Sequence, residues 1–304
     1  MDEDFWDELQ FTWRQTAYGL VVAGAVLFIV FGLVWWFTVY HNPQRTFWGM
    51  ISSSLATSGV TRHIMESQKG QKLDEYIQLE LGANNLARSY TTLTQNNNVV
   101  KTESIGATKT DYTRYLAFQS SAKNSQGQPL NFSSVIGVWS QSPAKVSGQT
   151  SDALQHLFGQ TLLGVVPIAN LTSAERGVLI TKIRRNNVYV PDFSNVKTKT
   201  VASQRAYIYN VAVEPVAYAA ISQQFARYEG FGKLSELEPS QYQGAAPEQV
   251  KFAVGINSHQ LLQISYGQNH SESYSGYGQQ PKIAIPTKTI SSNALKQRLA
   301  KLNK

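Results

Sequence analysis

Five histidines, His41, His63, His156, His259 and His270, are the first residues to weigh for chemistry, and they are scattered. None stands in the HExxH pattern that sets two imidazoles on one helix face around zinc. His259 falls in a turn and reads as a solvated residue. The chain has no cysteine, which excludes disulfides, thiolate metal sites, cysteine nucleophiles and a lipid-modified cysteine. No GxSxG elbow, phosphate-binding loop or dinucleotide fingerprint occurs, and the glycines around Gly276 lie between two strand-like segments, where turn chemistry explains them. Glu103 and Asp111 invite comparison with an acid/base pair. With Lys109 and Arg114 close by in the sequence, a surface charge network explains them better. The expectation is a protein that is not an enzyme and has neither metal nor cofactor.

Composition points the same way. Charged residues make up 15% of the 304 positions, against a usual share of about 25%. Gln, Asn, Ser and Thr take their place, as in many cell-surface and secreted domains. The net charge of +7 is unevenly spread. Residues 1–15 carry five acids and one base, and the remainder has twenty-six basic residues against fifteen acidic. The longest basic cluster, Lys182, Arg184 and Arg185, is too short for a nucleic-acid face, so the charge reads as a solubility feature.

The clearest physical signal lies near the N-terminus. Between Gln15 and Gln44 there is no Asp, Glu, Lys or Arg, and Ala17 to Val39 is almost wholly apolar. At the helical rise these positions span about 34 Å, enough for a hydrocarbon core of roughly 30 Å. Leu27 and Phe31 fill the middle, and Trp35 and Trp36 mark an interfacial belt. The segment is too long, and begins too acidic, for a cleaved signal peptide. It predicts a single-pass anchor: an acidic tail over 1–15, a transmembrane helix over 16–40 and a linker over 41–46. A domain over 47–290 and a basic helix over 291–304 follow. The short tail is expected inside, with the large domain extracytoplasmic at the cell membrane.

Beyond Pro43, the series Phe47, Ile51, Leu55, Val60, Ile64 suits one amphipathic helix. Alternating segments at Tyr76–Leu81, Ser89–Leu93, Val99–Ile105, Asp111–Phe118 and Phe132–Trp139 predict antiparallel strands. Helices are expected from Ser151, from a Thr172/Glu175 capping box, and from Pro215. Strands return at Val196–Thr200 and Ala206–Val213. A meander follows over Val250–Ile256, Leu261–Tyr266 and His270–Tyr277, then Ile283–Ile285, and Ser291–Leu302 closes the chain as a helix. Strands with helices inserted mid-sequence indicate an α+β domain, its helices on one face of a curved sheet.

The segment VKFAVGINSHQLLQISYGQNHSESYSGYGQQPKIAIP pairs a two-strand turn with a tyrosine-rich strand end and a proline-bounded strand. Over residues 249–286 it resembles the C-terminal end of the LolA and LppX/LprG group of envelope lipoproteins. The resemblance implies a strongly curved antiparallel half-barrel, with helices on its concave face and a cavity for lipid or acyl chains. This chain departs from the lipoproteins in having a helix anchor and no lipidated cysteine, and tethering argues against a shuttle. The apolar face of Leu154, Leu157, Phe158 and Leu162, with Ile221 and Phe225, is the candidate cavity wall, although periodicity suits a filled core equally well. The expected partners are membrane lipid around the anchor, a lipid or acyl-chain ligand, and an envelope protein; nucleic acid is not expected. The alternative is a structural or adhesion subunit of a secretion or pilus complex, with no ligand.

Overall fold

The computed structural model describes residues 24–33, 35–36, 42–82, 85–143, 157–231 and 234–302. Residues 24–33 and 35–36 are helical, with Leu27, Phe28 and Phe31 largely exposed. Ala17 and Val39, at the two ends of the expected span, lie outside the described residues. Among the described residues, no helix is long and apolar enough to cross a membrane.

Helix α1, Pro43–Ser54, begins where the sequence demands it. Asn42 Oδ1 accepts from the amides of Gln44 and Arg45 at 2.9 and 3.2 Å, and Pro43 occupies the first turn, where its missing N–H costs nothing. The expected continuation through Val60 and Ile64 does not occur. α1 stops at Ser54, and Gly59–Gln68 is strand β1. The apolar spacing fits both readings, but β-branched Val60, Thr61 and Ile64 favour a strand, and Ser58-Gly59 breaks the helix.

Long hairpins follow: β2 (Gln71–Glu80), β3 (Leu86–Gln95), β4 (Asn98–Ala107) and β5 (Thr110–Gln119). Their tight turns use residues with positive φ, Lys69-Gly70 between β1 and β2 and Asn96-Asn97 between β3 and β4. Phe132–Trp139 is not the expected strand. It forms turns in which Phe132 stacks on Phe118 at 4.3 Å, and pairing resumes only at β6, Ser140–Pro143.

Helix α2, Leu157–Leu162, and helix α3, Ser173–Arg185, come next, the latter opened by the expected capping box of Thr172 and Glu175. The region predicted to begin the first of these, residues 151–156, lies outside the described residues. β7 (Tyr189–Pro191), β8 (Lys197–Val201) and β9 (Gln204–Val213) lead to helix α4, Pro215–Tyr228. The meander is β10 (Glu248–Gly255), β11 (Leu261–Tyr266) and β12 (His270–Ser275). Ile283–Ile285, bounded by Pro281 and Pro286, forms no strand. The short β13 (Ile290–Ser291) precedes helix α5, Ser292–Lys301.

These strands make one open sheet of thirteen among the described residues, in the order β13-β6-β5-β4-β3-β2-β1-β12-β11-β10-β9-β7, with β8 also on β9. Every pairing is antiparallel except β13 with β6. The seam is β1 against β12, which joins the first meander to the last. α1 to α4 cover one face: Phe47 and Met50, Phe158 and Leu162, Leu179 and Ile183, Ile221 and Phe225 share a single core with Val60, Ile64, Phe252 and Val254. α2 lies so close to β4 that a Cβ at Gly106 would come within 2.7 Å of the Phe158 amide nitrogen.

Phe47 centres that core, edge-on to Trp48, Tyr189, Phe193 and Tyr209 and stacked with Phe252 at 6.1 Å. Tyr209 OH donates to the Pro43 carbonyl at 2.8 Å, fixing the start of α1 to β9. Phe47→Ala is expected to destabilise the domain by about 3–5 kcal/mol. Chemical denaturation monitored by tryptophan fluorescence checks this, and a loss below about 1 kcal/mol would show that the site collapses or was never packed.

Candidate functional site

Alternation along β1 sends Val60, Arg62 and Ile64 to the helix-covered face, so a guanidinium enters an otherwise apolar row. The register of the seam sets Arg62 opposite Tyr274 and Ile64 opposite Glu272. Arg62 and Glu272 are therefore diagonal neighbours on one face, within reach of each other. They are 7% and 1% exposed. Arg62 Nε donates to Glu272 Oε2 at 2.9 Å and Nη2 to Oε1 at 2.8 Å, a two-pronged ion pair. Tyr274 OH donates to Oε2, and His270 Nε2 lies 3.0 Å from Oε1. His270 in turn stacks on Tyr266 at 4.1 Å and has Nδ1 3.5 Å from Glu66.

The surroundings set the charges. Burial opposes ionisation of Glu272, but His270, Arg62 and Tyr274 together hold its carboxyl down to about 2. Burial likewise works against the Arg62 cation, and the neighbouring Tyr274 and Glu272 raise its pKa overall. The hydrogen bond to Glu272 raises His270 above its ordinary value of 6.5, against its partial burial. Charges removed from water at this depth are tolerable only as a matched pair with their remaining sites bonded.

Beside the pair opens a pocket of about 410 Å³. Arg62 and Glu272 form its polar end, and Val213, Pro215 and Val250 line its apolar walls. The segment Leu163-Gly164-Val165 forms another side. Tyr218 OH donates to the Gly164 carbonyl at 2.6 Å, and Tyr189 OH to that of Val165 at 2.7 Å, so two tyrosines hold this segment to α4 and to β7. A Cβ at Gly164 would stand 3.3 Å from Arg62 Nη1, so a larger residue here would crowd the guanidinium. Nη1 makes no hydrogen bond among the described residues, which leaves one arginine nitrogen available to the pocket.

The candidate wall residues are placed differently. Phe158, Leu162, Ile221 and Phe225 are buried in the main core, Leu157 packs at its edge, and none of the five lines this pocket. Leu154 lies outside the described residues. Gln160 and Leu163, neighbours of the expected wall, do line it. The signal for the polar end was a charged residue at an inward strand position, and it is visible only once β1 is read as a strand. Two other expectations change. Glu103 is fully buried and bonded by two arginines instead of forming part of a surface network. His259 is half-buried with its ring against Gly49, and burial lowers its pKa.

No family model matches the chain, and no curated protein matches it. Among solved structures it is similar to the crystal structure of LprF from Mycobacterium bovis, at 11% identity and a TM-score of 0.42, over 81% of this chain and 96% of that one.

Removing one partner strands a buried charge, whereas removing both does not. Arg62→Met is expected to cost about 3–5 kcal/mol and the double change Arg62→Met with Glu272→Met far less. A denaturation cycle over the four proteins reads the coupling, and additive losses would contradict a buried pair. Glu272, with its lowered pKa, contributes stability that is whole above pH 4.5 and is lost as pH falls toward about 2. His270, with its raised pKa, contributes stability that is whole below pH 6.5 and is lost as pH rises through its folded value. Melting temperature is therefore expected to peak between these limits, and to lose its alkaline fall in His270→Gln.

Proposed function

We propose that this chain is an anchored, non-enzymatic binding protein whose domain lies outside the membrane and takes a small amphipathic ligand, such as a single acyl chain with an oxygen-bearing end, beside Arg62. The observation that carries this reading is the pocket itself. At about 410 Å³ it falls at the lower end of the range for small-molecule sites. Leu163, Val165, Val213, Pro215 and Val250 give it apolar walls, and the Nη1 of a rigidly paired arginine offers a donor at its polar end. Apolar burial supplies affinity at roughly 25 cal/mol per Å², and the donor supplies orientation. Because Glu272 already balances the Arg62 charge, the site favours a carbonyl or hydroxyl end, or a weakly held carboxylate.

The anchor rests on the uncharged stretch from Gln15 to Gln44 and on the outward-facing apolar side chains of the helical residues 24–33. Exposed Leu27, Phe28 and Phe31 on one short helix need lipid or protein around them. A half-barrel curvature of the sheet, as in the LolA/LppX group, belongs to the same proposal. The filled core favours a second reading. With Phe158, Leu162, Ile221 and Phe225 all in the buried core, the space these helices face is filled among the described residues, as suits a structural or adhesion subunit of an envelope complex.

The two readings part under native mass spectrometry of the full chain purified in uncharged detergent. The ligand reading expects a co-purifying or added fatty acid, such as decanoate, to bind one to one, and Val165→Phe to reduce its affinity about tenfold or more by filling the pocket. Absence of any bound or competing apolar molecule would leave the structural reading.

A further inference from the structure

The face of the sheet opposite the helices carries a second built site. Across β3, β4 and β5 the register places Tyr90 opposite Glu103 and Glu103 opposite Arg114, with Arg88 one diagonal step away. Trp139 and the segment 282–288 border the group, and Ile283 packs with Leu86 and Ile105 to form a small core there. Glu103 is 0% exposed in this setting. Arg88 donates through Nε at 2.7 Å and through Nη2 to Glu103 Oε1, and Arg114 does the same to Oε2, with Nε at 2.7 Å. Burial opposes the carboxylate charge, yet the two guanidinium groups keep its pKa below the usual value.

One carboxylate holds two arginines and cannot neutralise both. The pocket they line, about 400 Å³ in volume, is bordered by four cations, Arg88, Arg114, Lys282 and Lys288, and by one acid, Glu103. Arg88 lies over the Tyr90 ring at 4.9 Å and Arg114 over Trp139 at 4.7 Å, so both forks are fixed in plane. Their side chains remain 29% and 32% exposed. Neither Nη1 makes a hydrogen bond among the described residues, and both lysines are exposed and without an ion pair there. Fixed guanidinium planes with unused N–H groups match the tetrahedral oxygens of phosphate, and two flexible ammonium groups can close on the outer oxygens.

We propose that this pocket binds a phosphate-class oxyanion, as the free ion or as the headgroup of a lipid. Glu103 serves as the spacer that holds the two arginines apart and aimed. The site lies on the opposite face from the Arg62 pocket and stands independently of it.

Calorimetric titration of the full chain in uncharged detergent at low ionic strength tests this, with inorganic phosphate and with soluble dihexanoyl phosphatidic acid as the two probes. Binding of both supports the shared phosphate chemistry. Binding of the lipid alone, or at least tenfold tighter, assigns the headgroup source, and binding of phosphate alone assigns the free ion. Lys282→Gln with Lys288→Gln should weaken binding by about tenfold, as the loss of two exposed cations does. No binding of either probe, or affinity unmoved by the lysine changes, overturns the proposal.

Discussion

A guanidinium and a carboxylate buried side by side dictate how the two halves of this sheet can meet. Arg62 comes from the first meander and Glu272 from the last, 210 positions apart in sequence. Neither charge is tolerable alone in that apolar layer, so each requires the other. The pairing also specifies register. A slip of one residue between β1 and β12 would turn one member to the opposite face and leave the other unpaired. Apolar residues alone would tolerate several alignments of these strands, and the ion pair leaves one.

The same constraint shapes the pocket. Because the pair occupies the inner face, the core cannot close over it with aliphatic side chains as it does around Phe47 and Phe252. α4 and the 163–165 segment instead stand off, held by Tyr218 and Tyr189 through their hydroxyls. Glu103 repeats the principle on the other face, with a reversed balance. There one acid serves two bases, and the local field stays positive. A sheet with few charged residues has placed two of its carboxylates where burial makes them count most.

Much of the architecture was legible in the sequence. The hairpins of β2 to β5 followed from alternation, α3 from its capping box, α4 from Pro215, and the C-terminal meander from its glycine and asparagine turns. The departures share a cause. Val60 and Ile64 continue the helical spacing of Phe47, Ile51 and Leu55, so spacing alone carries the helix into β1 and hides the inward position of Arg62. Phe132 to Trp139 alternates like a strand but spends its aromatic ring on Phe118 and leaves pairing to β6. The two polar clusters could not be read locally, since each depends on registers between strands. The apolar faces of α2 and α4 are legible from their spacing, but periodicity does not tell that Phe158 and Phe225 fill the space they face.

The most direct measurement is nitrogen-15 NMR of the arginine Nε–H groups in the full chain at neutral pH, with Arg62→Lys to assign its signal. If Arg62 is locked to Glu272 inside the sheet, its Nε proton exchanges far more slowly than those of the exposed arginines, and Glu272→Gln abolishes the protection. Exchange as fast as that of Arg185 or Arg205 would mean that water reaches the pair, and the account of the seam and its pocket would be wrong.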